Sequence, residues 1–401
     1  MTISIKNFEA VAHISVAVMV DGQHSDKAFE AFFRKNHFLS ETDKAFIVEW
    51  VNYIIRNWRL LSEIYNRAEL GKHTDFMKIA GIAWIITGNT LPVWPVFKRI
   101  KSETIQSLHD ELTKNRAIEH SVPDWIDKLG AAELGERWPH ILKALNREPA
   151  QVLRVNTLKI TKEQLKSQLD QKDVTTELCT NAPDGLVIKK KLNVFHLPEF
   201  KEGLFEMQDA SSQMTGQFAN PQPGMRVIDA CAGNGGKTLH LAALMQNKGR
   251  IIALDLYPSK LETLKKRVRR AGISIIEPRP IESTKVIKRL YDSADLVLLD
   301  VPCSGLGVLK RNPEIKWRLQ PSDFENLLKT QEDLLNRYSR MTKSGGRLVY
   351  CTCSIMPSEN MLQVRKFLER QPEKFELTEE LSISPEDGFD GFYMASLKRI
   401  G

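Results

Sequence analysis

The sequence predicts an α/β protein built on a Rossmann-like parallel sheet, with a small α+β module and an all-α domain ahead of it. Three observations carry this. From about residue 206 onward, the apolar runs MRVIDA, RIIALDL, ISIIEP, ADLVLLD and GRLVYCT recur with helix-like segments between them. Strands apolar along their whole length, alternating with helices, indicate a parallel sheet covered on both faces. Residues 1–145 show helical spacing with no β-type alternation. The stretch 146–205 mixes both textures.

In the first segment, Phe46, Ile47, Trp50, Val51, Ile54, Ile55, Trp58 and Leu61 recur at three- and four-residue steps, predicting one amphipathic helix. Ser40, with Asp43 three residues on, is the expected N-cap. The middle segment reads strand (QVLRVNTLK), helix (TKEQLKSQLDQK) and strand (GLVIKKKLNVFHL), with Lys189–Lys191 as a solvated edge or a phosphate contact. In the last segment, ligands are expected beyond the carboxyl ends of the strands.

Composition narrows the class. The chain has 401 residues, 42% apolar and 27% charged, with 57 Lys+Arg against 50 Asp+Glu. This basic balance permits a polyanionic partner without requiring one. Five cysteines, Cys179, Cys231, Cys303, Cys351 and Cys353, form no CxxC pair, which favours reduced thiols in a cytoplasmic setting over a disulfide framework. The start MTISIKNFEA lacks the pattern of a signal peptide, and the apolar run Ile79–Ile86 is too short for a bilayer, so no membrane association is expected.

Two groups of strand ends carry candidate chemistry. VIDACAGNGGKTLH is a strand entering a Gly-rich turn. A P-loop would need glycine at Cys231, and GxGxxG is absent, so phosphate-cradling and nicotinamide readings are weak. What remains is a turn open to close ligand approach at Gly233, Gly235 and Gly236, followed by an acid, Asp255, at the end of the next strand. An acid there is placed to accept ribose hydroxyls, and S-adenosylmethionine fits without a pyrophosphate contact. In the second group, DVPCSG presents a carboxylate (Asp300) and a thiol (Cys303), and YCTCS presents Cys353 on the next strand. C5 of a pyrimidine is a poor nucleophile, but a thiolate adding at C6 turns it into an enamine carbon. A carboxyl at N3 and the exocyclic amine would stabilise that adduct and favour cytosine. A second thiol could assist its release.

Taken with QDASSQ, DACAGNGGKT, DVPCSGLGVLKRNPEIKW, TCSIMPSEN and DGFYMA, the chain from about 146 to 400 resembles the NOL1/NOP2/Sun family of RNA cytosine-5 methyltransferases. The resemblance implies a NusB-like helical RNA-binding domain at 1–145, a small RRM-like module at 146–205 and a class I (Rossmann-like) methyltransferase domain at 206–401. It implies methylation of RNA, most often small-subunit ribosomal RNA, with transfer-RNA cytosine or uracil C5 as the rival substrate and a non-catalytic RNA-binding assembly factor as the rival class. Cys353 falls on the covalent nucleophile, Cys303 on the thiol linked to product release, and Asp300 beside cofactor and base. Cys231, Ala232, Gly233, Asn234, Gly235, Gly236 and Lys237 fall on the S-adenosylmethionine turn, with Asp255 on its ribose. Arg154, Asn156, Lys310 and Arg311 are the expected RNA contacts.

Two positions depart from the family: Gly233-Asn234 replaces its usual Ala-Pro, and the Gly-Asp pair after the third strand is missing, leaving Glu282 a doubtful substitute for the adenine contact. Cys351 reads as a structural thiol. No metal site is expected, since no His or ligand spacing accompanies the cysteines, and a monomer is the default.

Overall fold

The computed structural model describes residues 4–67 and 70–401. The chain divides into two compact units, 1–146 with 311–319, and 147–310 with 320–401.

The first unit is helical. Its central helix, His73–Ile86, is buried on nearly every face, from Phe76 to Ile85. Its own Trp84, with Trp94 and Phe97, packs edge-on against Phe8, the ring centroids 5.4–5.8 Å apart. Gly81 permits this packing, since a Cβ there would stand 2.8 Å from the Phe97 ring. Ser40 is the N-cap of helix Glu41–Arg56, its Oγ accepting the Asp43 N–H at 3.1 Å. The single helix expected through Leu61 is instead two, because the backbone leaves helical geometry at Asn57 and restarts as Trp58–Tyr65. The cause lies far along the sequence. Lys316 Nζ donates to Arg56 O at 2.7 Å and Trp317 Nε1 to Ile55 O at 2.7 Å. These side chains take carbonyls that a continuous helix would need. Residues 311–319 thus pack with the helical core, which departs from the expected division at 145 and 205.

The second unit holds two sheets. The small one is antiparallel, in the order β2 (Thr176–Leu178), β3 (Gly185–Ile188), β1 (Gln151–Val155), β4 (Phe205–Met207). The strand expected through 197 stops at Ile188. Beyond it, Lys189 pairs with Glu177, and Lys191 with Glu148 at 2.9 Å.

The large sheet has seven strands, ordered β10 (Phe375–Ile383), β11 (Phe392–Arg399), β9 (Thr342–Thr352), β8 (Ala294–Asp300), β5 (Arg226–Asp229), β6 (Arg250–Asp255), β7 (Ile276–Pro280). β5 to β9 are parallel, and β11 runs antiparallel between β9 and β10. The five parallel strands are those the apolar runs predict. β10 is not legible in that way, since it runs through the exposed acids Glu376, Glu379 and Glu380, and β11, though buried from Phe392 to Leu397, lies outside the expected strands. The order reverses at β5, so the carboxyl ends of β5, β6, β8 and β9 face one crevice, where sheets of this topology take their ligands.

Candidate active site

Register brings the expected residues together. Asp229 ends β5, Asp255 ends β6, and Asp300 ends β8 opposite Cys351 on β9. Cys353 follows one residue beyond the end of β9. Its sulfur lies 3.2 Å from that of Cys303, three residues past β8. The two thiols share a hydrogen bond. That bond, reinforced by burial, pushes the Cys303 thiol well above its usual range and keeps its proton in place.

One buried carboxylate ties the two thiol-bearing loops. Glu359, fully buried, accepts the Ser304 N–H at 2.8 Å, the Ser304 hydroxyl at 2.5 Å, the Ser354 hydroxyl and the Gln331 amide at 2.9 Å. Ser304 and Ser354 directly follow the two cysteines, so Glu359 sets the spacing of both sulfurs. Gly307 adds a backbone clamp, donating to Cys353 O at 3.0 Å and accepting from the Gly391 N–H at 2.8 Å. A Cβ at Gly307 would meet Gly391 O at 2.2 Å, so only glycine allows this approach.

Asp300 carries the charge of the site. Lys237 Nζ donates to it at 2.7 Å, and the Cys351 thiol lies 3.5 Å from its other oxygen. Burial opposes the Lys237 charge, but Asp300 outweighs it and holds the ammonium above its usual range. Cys351 is fully buried, with its thiol pushed well up by burial and by Asp300, as suits a structural sulfur. Burial likewise raises Asp229 to about 7, against a hydrogen bond from Thr238 at 2.6 Å.

The Gly-rich turn fits a close-lying ligand. Gly233 and Gly235 have φ of +55° and +85°, and the space that a Cβ would take at Gly233 and Gly236 is open. Asp255 is braced by the N–H groups of Gly233 and Tyr257, each at 2.8 Å. Sequence reasoning missed Leu256 and Tyr257, both exposed at 61% and 59% directly after Asp255. Large apolar residues just past a strand-end acid, outside the strand's own core, were the signal. Glu282 is exposed two residues beyond β7.

The expected RNA contacts are placed differently. Arg154 and Asn156 are buried, with Arg154 donating to Gln208 Oε1 and Gly236 O, and Asn156 to Gly203 O and Ala271 O at 2.9 Å. Lys310 is buried too, its ammonium on Pro385 O and Phe389 O at 2.7 and 2.8 Å. A polar side chain buried and spent on internal carbonyls is a strut, which removes these three from the expected interface. Arg311 is half-buried, at the start of the segment that packs with the helical unit.

Among the described residues, no group of three or more His, Cys, Asp or Glu is arranged to hold a metal, and no helix is long and apolar enough to cross a membrane.

The strand order, with its one antiparallel strand second from the edge, and the crevice at the reversal define a Rossmann-like methyltransferase. Comparison with known proteins makes this specific. Residues 217–398 match the family profile described as 16S rRNA methyltransferase RsmB/F, and residues 122–195 match its ferredoxin-like domain. A probable ribosomal RNA small subunit methyltransferase B of Synechocystis is 37% identical over 300 residues, covering 70% of this chain and 67% of the relative. A protein of the same description in Bacillus subtilis is 30% identical over 383 residues, 89% and 84% of the two chains. The crystal structure titled PH0851 superposes with a TM-score of 0.83 at 26% identity, over 99% of this chain and all of that one. The chain belongs to the RsmB/F family of methyltransferases.

Proposed function

We propose that the chain methylates C5 of cytosine in RNA, with small-subunit ribosomal RNA as substrate and S-adenosylmethionine as methyl donor. The observation that carries this reading is the pair of Cys303 and Cys353 sulfurs, 3.2 Å apart, just past the strand end that carries Asp300. One sulfur both attacks C6 and leaves it, and a second thiol at this spacing can assist the release. The names of the two relatives specify small-subunit ribosomal RNA, which supports that substrate.

Cys353 adds as thiolate to C6 of a base swung out of its stack. Asp300, held by Lys237, faces the ring nitrogen and exocyclic amine and steadies the adduct. S-adenosylmethionine, when bound, supplies an electrophilic methyl group at the C5 side of the ring. The Gly233–Lys237 turn and Asp255 would hold it, with Leu256 and Tyr257 offering apolar surface to its adenine. Transfer of H5 as a proton to water restores the C5–C6 double bond and expels Cys353 as thiolate, to which the protonated Cys303 donates. Arg311 is retained as an RNA contact.

Bisulfite sequencing of ribosomal and transfer RNA from a strain lacking the gene tests the substrate. One 5-methylcytosine should vanish from small-subunit ribosomal RNA. Loss confined to transfer RNA would overturn the ribosomal assignment.

A further inference from the structure

The thiols and acids leave one part of the site unexplained. A turn with glycines at positive φ on either side of Asn234 can flip its peptide planes at small cost, yet a ligand-binding turn needs one shape. Two of its carbonyls are held from outside. Asn234 O accepts from Arg267 Nη1 at 2.8 Å, and Gly236 O accepts from Arg154 Nη1 at 2.6 Å. A peptide whose carbonyl is bonded to a guanidinium cannot rotate without breaking a charge-assisted hydrogen bond. Fixing Asn234 O fixes the N–H of Gly235, and fixing Gly236 O fixes the N–H of Lys237.

The two arginines are themselves part of a network. Arg154 lies on β1, directly opposite Glu206 on β4. Glu206 is buried and accepts from Arg267 at 3.1 Å and Arg270 at 2.5 Å. Arg270 in turn lies 3.9 Å over the Phe200 ring. Arg267 and Arg270 belong to helix Pro258–Ala271, which begins three residues after Asp255. The carboxylate between them neutralises guanidinium groups that would otherwise repel, and the small sheet supplies it.

We infer that Arg154 and Arg267 are positioning residues of the cofactor turn, and that the small β1–β4 sheet is part of the scaffold of the cofactor site. This rests on the reading of that turn as the S-adenosylmethionine site. It reassigns Arg154 from RNA to the turn, and it gives Arg267 a function that no sequence signal assigned. Gly233-Asn234, where the family carries Ala-Pro, has its loss of backbone stiffness offset by a side chain from the next helix.

Calorimetric titration of the full chain with S-adenosylmethionine tests it, with Arg267→Met as the lead variant because Arg267 is partly exposed. The wild type should bind, Arg267→Met should bind about tenfold more weakly, a loss of about 1.4 kcal/mol, and Arg267→Lys should recover part of the loss. Affinity for a ribosomal RNA fragment should be unchanged. Hydrogen exchange of the amides of 233–237, measured without ligand, should quicken in Arg267→Met while strands β5 and β8 stay protected. Unchanged cofactor affinity with unchanged exchange in the turn would overturn the inference and leave the cofactor site standing. Weakened RNA binding with unchanged cofactor affinity would overturn it in favour of an RNA contact. Failure of the wild type to bind S-adenosylmethionine would bring down the underlying site reading as well.

Discussion

At the scale of single residues, the site is governed by which groups keep their protons. Cys303 is held toward its protonated form by its hydrogen bond with Cys353 and by burial, and Lys237 keeps its own proton because Asp300 answers it. Asp229 is the outlier. Burial raises it from 3.8 to about 7, so between these values the folded chain holds a proton that the unfolded chain has lost. Stability from this group is present in acid and is lost as pH rises toward and through 7. Asp229→Asn, which imitates the protonated acid, should therefore raise the melting temperature relative to wild type more at pH 8 than at pH 5. A difference that does not change with pH would contradict the assignment. The motif residues Cys303, Cys353, Asp300 and Asp255 were legible in the sequence, because each is a chemically distinctive residue at the end of an apolar run. Glu359 was in plain view in TCSIMPSEN, but its role was not, since an acid in a loop reads as solvated until the fold buries it. Arg154, Asn156 and Lys310 failed in the opposite direction. Resemblance to the family suggested RNA for Arg154 and Asn156, and a basic stretch did so for Lys310, but only the fold shows which internal carbonyls already hold them.

At the scale of elements, the parallel strands β5, β6, β8 and β9 were legible because both faces are buried along their apolar central runs. The edge strand β10 was not, because an outer strand with a solvated face carries acids that blur the pattern; β11 is buried from Phe392 to Leu397, but its mixed run FYMASLKR was read only as part of a motif. The break at Asn57 was hidden for a different reason. Its cause, Lys316 and Trp317, lies some 260 positions along the chain, and no local window contains both partners. This gives a direct test. Trp317 packs against the helical core and donates to Ile55 O. Its replacement by Ala should cost about 2 kcal/mol, less than a fully buried Trp. It should speed hydrogen exchange at the carboxyl end of helix Glu41–Arg56. Exchange that quickens only around residue 317 would show that the segment does not support that helix.

At the scale of the whole molecule, the chain places a two-thiol crevice at the reversal point of a Rossmann-like sheet, in a member of the RsmB/F family. The small sheet supports the turn in that crevice, and segment 311–319 completes the helical core, so the boundary drawn at 205 falls inside one packed unit, while the one at 145 lies one residue from the division between the units. The central claim is the division of labour between the two sulfurs. It is tested by incubating Cys303→Ala and Cys353→Ala with S-adenosylmethionine and small-subunit ribosomal RNA, then separating the products on a denaturing gel. Cys303→Ala should accumulate a denaturation-resistant protein–RNA adduct, because attack proceeds and release stalls. Cys353→Ala should be inactive and form none. An adduct in Cys353→Ala and none in Cys303→Ala would contradict the account.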